Sequence, residues 1–269
     1  MSLAKQKKSA ATEDTESAPS ADGAVAPWSV PLGLSGRGMA AVAAVIAVIN
    51  LPLIHYFLFR SVPEASVTVP FTDDFSQGDT VANRYWSSGG HWRVVGGELV
   101  SPGVKNNPLW LKAKLPQNVA VEFDVRSQSP EGDIKFEIFG DGSDHASGYV
   151  IIYGGWGNQM SVIARLDEHG VPLPELQRQA AGKSLVEAGV FRANTRMRVE
   201  SPRHVPVQMG QTYRIRLERR GSVMTWFLNG EKYMEFDDPI PLVGEKHDRF
   251  GFSSWEAQLY FDNLSIQPL

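Results

Sequence analysis

Val119-Ala-Val-Glu-Phe-Asp-Val-Arg126 alternates: Val119, Val121, Phe123 and Val125 share one phase, and Glu122, Asp124 and Arg126 share the other. A period of two is the mark of a strand with one face in a core and one face in water. The same pattern sets Ile134, Phe136 and Ile138 against Lys135 and Glu137, and Tyr213, Ile215 and Leu217 against Arg214, Arg216 and Glu218. Further out, Asn229-Gly230 separates two apolar runs, 224–228 and 233–236. That dipeptide predicts a two-residue hairpin, because both positions accept positive φ. Gly96-Gly97 and His169-Gly170 are weaker turn signals. Short strands closed by turns predict an all-β fold, with two antiparallel sheets packed as a sandwich. One stretch interrupts the pattern: residues 172–198 contain good helix formers at 176–188 and predict a short helix or an ordered insertion loop.

Upstream of the strands the chain changes character twice. Residues 1–37 are rich in Ala, Ser, Thr, Glu and Pro, with Trp28 as their sole aromatic. Such a stretch buries too little apolar area to offset its chain entropy, and it reads as a disordered tail. Residues 38–59 carry no formal charge and lie between Arg37 and Arg60. As a helix they would run about 33 Å, which matches a bilayer core of about 30 Å. The resulting organisation is a tail over 1–37, a transmembrane helix over 38–60, a linker over 61–70 and a β domain over 71–269. A cleaved leader fits less well, because no small-x-small site follows and Pro63 and Glu64 spoil the nearest candidate. Lys5, Lys7, Lys8 and Arg37 precede the span, and only Arg60 follows before Arg84. The tail is therefore expected in the cytoplasm and the β domain outside it.

Composition narrows the function classes. The 269 residues include no cysteine, which excludes disulfide scaffolds, Cys-ligated zinc, iron–sulfur clusters and thiol nucleophiles. It also fits a bacterial periplasm or cell surface. A formal net charge of −4 argues against nucleic acid as a partner. Residues 176–220 are locally basic, with ten Lys or Arg against three Glu. That region suits anionic lipid headgroups or an acidic glycan, or else consists of solvated strand faces.

Several short runs carry a family likeness. Phe71-Thr-Asp-Asp-Phe75, Trp86 and Gly90-His-Trp-Arg-Val94 with Gly97-Glu-Leu99 resemble the opening of a concanavalin A-like lectin/glucanase jelly roll. Gly210-Gln-Thr-Tyr213, residues 226–230 and Phe261-Asp-Asn-Leu264 extend the likeness to the laminin G-like and keto-disaccharide-hydrolase-like branches of bacterial surface proteins. It spans about residues 71–269. The resemblance implies a jelly roll with carbohydrate bound across its concave face. Retaining glucanases of this superfamily place Glu-x-Asp-x-Glu on one strand, and the matching run here is Glu122-Phe-Asp-Val-Arg126. Arginine replaces the third carboxylate, so the double displacement lacks its acid and no catalytic residue is assigned.

Other templates are absent as well. The six histidines show no H-E-x-x-H spacing, there is no G-x-S-x-G elbow, and Gly154-Gly-Trp-Gly157 lacks the Lys and Ser/Thr of a phosphate cradle. Asp141, Asp144 and His145 sit in a Gly/Ser loop whose spacing does not fit an EF-hand and reads as a turn. No cofactor is expected, with a structural calcium at Asp73 or Asp74 and Asp262 as the alternative drawn from related modules.

Sugar recognition stacks an apolar sugar face on an aromatic ring while polar side chains take the hydroxyls. The expected ligand-binding residues are Trp110, which falls on the phase opposite Leu109 and Leu111, Tyr153 and Trp156 by the glycine-rich turn, and the strand carboxylates Glu122, Asp124 and Glu137. Trp92, Trp226 and Trp255 are expected in the core. The function this reading supports is non-catalytic binding of a glycan or glycosylated envelope component by an inner-membrane, single-pass protein. Two rivals stand beside it: a glycan-cleaving enzyme using a pair drawn from Glu122, Asp124 and Glu137, and a structural subunit of an envelope complex that uses the basic region.

Overall fold

The computed structural model describes residues 33, 35–59, 62–78, 81–87, 89–101 and 103–269, without the side chains of 57–59. The tail expected over 1–37 falls almost wholly outside the described residues. The chain divides into two units, Met1–Arg60 and Ser61–Leu269.

The first unit carries a helix over Gly36–Phe59. Ser35 begins it: its Oγ accepts from Gly38 N at 3.2 Å and its carbonyl from Met39 N at 2.9 Å. Such an N-cap satisfies donors that the first turn leaves free. Pro52 lies inside the helix and cannot donate to a preceding carbonyl. Asn50 donates its amide to Ile46 O at 2.7 Å, one turn back. Gly36–Tyr56 is long and apolar enough to cross a membrane.

The second unit is a β-sandwich. Its strands in chain order are β1 (Phe71–Asp73), β2 (Tyr85–Ser87), β3 (Arg93–Val95), β4 (Glu98–Val100), β5 (Leu109–Leu111), β6 (Val119–Ser127), β7 (Ile134–Gly140), β8 (Tyr149–Gly154), β9 (Met160–Arg165), β10 (Val171–Pro172), β11 (Met197–Glu200), β12 (Thr212–Arg220), β13 (Val223–Leu228), β14 (Glu231–Asp237), β15 (Arg249–Ser254) and β16 (Leu259–Pro268). Sheet A runs β14-β13-β12-β6-β16-β4-β3, with β1 also pairing β16; sheet B runs β10-β11-β9-β8-β7-β15-β5-β2. The pairings are antiparallel except β10 with β11, which is parallel.

Register confirms the alternation read from the sequence. Val121, Phe123 and Val125 of β6 oppose Leu217, Ile215 and Tyr213 of β12, and all six side chains point into the core. Ile134, Phe136 and Ile138 answer from sheet B. Phe123 joins the layers, meeting Phe136 edge-on at 5.1 Å and Phe252 at 5.3 Å. Burying such a side chain contributes about 1.5–3 kcal/mol. Asn229-Gly230 forms the expected β13–β14 hairpin, with φ of 52° and 84°. The helix of the interrupting stretch covers Leu173–Ala180, and turns follow it. The fully buried Arg165 ties this insertion down: it donates to Thr195 O, Ala193 O and Ile240 O at 2.7–2.9 Å and pairs with Asp238 at 2.8 Å.

The linker expected over 61–70 joins the sandwich before it ends. Ser66 N and Val67 N both donate to Lys112 O, and Val67 and Val69 pack on the core.

Candidate functional site

A cleft with polar side chains in its lining opens on the outer face of sheet B. Lys135 and Glu137 point outward from β7 but are 2% and 0% exposed, because loops after β7 and β9 fold over them. Burying charges is tolerated only when they are paired and hydrogen-bonded. Lys135 Nζ lies 2.9 Å from Glu168 Oε2 and donates to Asn106 Oδ1 at 3.0 Å. His145 bridges the carboxylates, with Nδ1 2.6 Å from Glu137 Oε1 and Nε2 3.6 Å from Glu168 Oε2. Glu137 Oε2 accepts from Ala146 N at 2.8 Å, which pins the β7–β8 loop. Burial opposes a charge on His145, but hydrogen bonds to Glu137 and Glu168 outweigh it and push its pKa up to about 9. Burial also works against the Glu168 charge, yet His145 and Lys135 hold that carboxyl down at about 2. At neutral pH His145 is therefore protonated and Glu168 ionised in this floor.

Above this floor opens a cleft of about 800 Å³, within the ordinary range for small-molecule sites. Two indoles bound it. Trp156 belongs to a left-handed turn in which Gly154, Trp156, Gly157 and Asn158 have φ between 51° and 68°. An aromatic residue in that region is strained by about 1–2 kcal/mol, so the surroundings must hold it there. Asn158 supplies the hold: its Nδ2 donates to Val207 O at 2.7 Å and its Oδ1 accepts from Val207 N at 2.8 Å. The Trp156 ring packs on the outward cluster of Val150, Ile152, Val162 and Ala164 and meets the edge of His169 at 5.8 Å. Trp255 follows β15 and stands 47% exposed, with Lys105 Nζ 5.7 Å and Lys135 Nζ 5.9 Å from its ring centre. Its backbone N donates to Asp133 Oδ2 at 3.1 Å.

The residues expected at a site are dispersed. Trp156 lines the cleft. Glu137 sits beneath it and reaches it through His145. Trp110 does occupy the outward phase of sheet B, but it is 2% exposed rather than wet. Its ring lies over Gly140 and Gly251, where added Cβ atoms would come within 2.4 and 2.8 Å of it. Tyr153 is not beside the ligand face: it points into the core, edge-on to Tyr213, Trp226 and Tyr233. Glu122 and Asp124 project from the outer face of sheet A, on the far side of the sandwich from Glu137. There Glu122 pairs with Arg214 at 2.7 Å and Arg216 at 2.9 Å, and Asp124 pairs with Arg214 at 3.1 Å. Partial burial works against the Glu122 charge, and the two arginines lower its pKa despite it. Arg126, at the third position of the glucanase-like run, binds Glu98 and stacks on Tyr260 at 3.8 Å.

Trp255 corrects a further expectation, since it faces solvent instead of the core. Asp133, Glu168 and Asn106 carried no local signal, because they meet only when distant loops fold over β7. Much of the basic region is internally paired: Arg198 with Glu200, Arg216 with Glu218, and Arg219 buried against Phe139.

Among the described residues no group of three or more His, Cys, Asp or Glu is placed to hold a metal ion. Asp141 instead caps its own turn, accepting from Ser143 N and Asp144 N at 2.8 Å. Asp73 accepts from Tyr85 OH at 2.8 Å and Phe75 N at 3.0 Å and pairs with Arg84.

No family model and no curated protein matches the chain. Solved structures with a related fold exist. A carbohydrate binding module, CBM66 from Bacillus subtilis, aligns with a TM-score of 0.47 at 12% identity, over 68% of this chain and 94% of that one. LamAcat from Zobellia galactanivorans gives 0.47 at 12% identity, over 74% and 97%. A Bacillus subtilis protein of unknown function with a galectin-like fold gives 0.46 at 13% identity, over 74% and 94%. Likenesses this distant carry no assignment of function.

Proposed function

We propose that the cleft over sheet B binds a glycan without cleaving it, and that the helix Gly36–Phe59 holds the sandwich against a bacterial inner membrane. The observation that carries the reading is the pairing of two accessible indoles, Trp156 and Trp255, with a floor of fixed donors and acceptors. Flat apolar rings take the apolar faces of a pyranose, and the fixed polar groups take its hydroxyls. Asn158 and Glu137 set the geometry beforehand, so little ordering remains to oppose binding. In this account residues 1–37 lie in the cytoplasm, 38–60 span, 61–70 link and 71–269 recognise an envelope glycan or glycosylated component.

The test is a glycan array probed with the full-length chain in nanodiscs. At least one oligosaccharide class is expected to be retained, with Trp255→Ala and Trp156→Ala each weakening it tenfold or more, equivalent to about 1.4 kcal/mol. An array on which nothing binds refutes the reading. For the topology, protease added to spheroplasts is expected to cut the C-terminal domain, and its protection there would refute the placement.

A further inference from the structure

The charges around the cleft are unevenly matched. Each cation near the floor already has a carboxylate: Lys135 has Glu168, His145 has Glu137 and Glu168, and Lys105 has Glu256 at 2.5 Å. Two cleft carboxylates have no such partner. Glu131, exposed on the rim, makes no ion pair among the described residues. Asp133 is only 9% exposed, and neither of its oxygens has a cation within ion-pair distance among the described residues. Its Oδ2 accepts from Trp255 N, while its Oδ1 has no hydrogen-bond partner among the described residues and is open to the cleft. Burial raises the Asp133 pKa and Glu168 adds to the rise, while the charge on Lys135, beyond ion-pair distance, opposes it only in part.

From this arrangement we infer that the glycan bound here carries a free, protonated amine: the ligand class is an amino sugar that is not N-acylated. This rests on the glycan reading of the cleft. An ammonium beside Trp255 would donate to Asp133 Oδ1, supply the ion-pair partner that carboxylate lacks among the described residues and lie close enough to the indole to gain a cation–π attraction. A uronate or sulfated sugar would instead bring a second anion to Asp133 and Glu131, with every nearby lysine already engaged. A neutral sugar would leave Asp133 short of a counter-charge.

Titration calorimetry on the full-length chain in nanodiscs separates these cases, using the β-1,4-linked hexamers of glucosamine and N-acetylglucosamine and the α-1,4-linked hexamer of galacturonate. The glucosamine hexamer is expected to bind at least tenfold more tightly than its N-acetylated counterpart, and the galacturonate hexamer most weakly. Asp133→Asn is expected to abolish the glucosamine advantage, read as the ratio of the glucosamine and N-acetylglucosamine affinities measured on the same variant. Glu131→Gln, on the exposed rim and without a side-chain hydrogen bond or ion pair among the described residues, is expected to reduce the advantage partially and serves if the buried variant fails to fold. Equal or tighter binding of the N-acetylated or galacturonate hexamer overturns the amino-sugar inference and leaves the glycan reading standing. An undiminished glucosamine preference in both variants also overturns it, since the attraction would then come from the chain's overall negative charge. Failure of every hexamer, together with an empty array, overturns both.

Discussion

The His145 bridge sets a pH dependence of stability that can be measured directly. In the unfolded chain the imidazole titrates near its ordinary value of 6.5, and in the fold Glu137 and Glu168 raise it to about 9. A raised pKa means that the folded state holds the proton more tightly. The contribution is therefore fully present below about pH 6.5 and is lost as pH rises through about 9. Each pKa unit corresponds to about 1.4 kcal/mol, so the whole span amounts to about 3 kcal/mol as an upper figure. The side chain is 19% exposed, so solvent screens only part of this. For a domain of this size, 1 kcal/mol moves the melting temperature by about 2–4 °C. The perturbation is His145→Gln, compared with the parent chain by calorimetry between pH 6 and pH 10. The parent is expected to melt above the variant at pH 6 by at most about 6–12 °C, and the gap is expected to narrow steadily through pH 9. A gap that stays constant across the range would refute the bridge as the source of the charge.

Other perturbations follow from the same contacts. Stability from Glu168 runs in the opposite sense: its lowered carboxyl contributes above about pH 4.5 and loses that contribution as pH falls toward 2, so Glu168→Gln should remove part of the acid sensitivity seen by fluorescence. Gly251→Ala, whose Cβ would lie 2.8 Å from the Trp110 ring, is expected to cost about 1–3 kcal/mol in urea unfolding, and Trp110→Phe should offset part of that loss. Phe123→Ala should cost about 3–5 kcal/mol by opening a cavity between the two sheets, a loss readable as a lower denaturation midpoint at constant slope. Asn158→Ala frees the turn that holds Trp156 and should weaken glycan affinity more than it lowers the melting temperature.

How much of this was legible beforehand depends on whether the information is local. Residues 119–126 announce a strand by themselves, because alternation is written in adjacent side chains and needs no distant partner. Asn229-Gly230 and the apolar helix are local in the same way. Alternation also placed Trp110 correctly on the phase opposite Leu109, yet it says which face a ring occupies and not what lies over that face. Two glycines, Gly140 and Gly251, make room for that indole, and only tertiary pairing brings them under it. The same limit applies to Lys135 and Glu137, which read as outward and solvated but are roofed by loops ending in His145 and Glu168. Trp255 failed in the other direction: a count of 7 Trp and 13 Phe suits a sandwich interior, but a count does not locate a residue, and β15 ends one residue before this one. A polar floor assembled from Asn106, Lys135, His145 and Glu168 draws on four separate segments, and no spacing in the chain encodes their meeting.

Oxidation footprinting of tryptophan offers the most direct check on the glycan-binding cleft. With N-bromosuccinimide and peptide mass spectrometry on the full-length chain, Trp255 and Trp156 should react in the free protein, while the buried Trp110 and Trp226 should resist. Saturating oligosaccharide selected from the array should protect Trp255 and Trp156 together and leave Trp92 unchanged. Bound oligosaccharide with both cleft indoles still oxidised at the free rate would contradict the account and move the recognition surface elsewhere on the molecule.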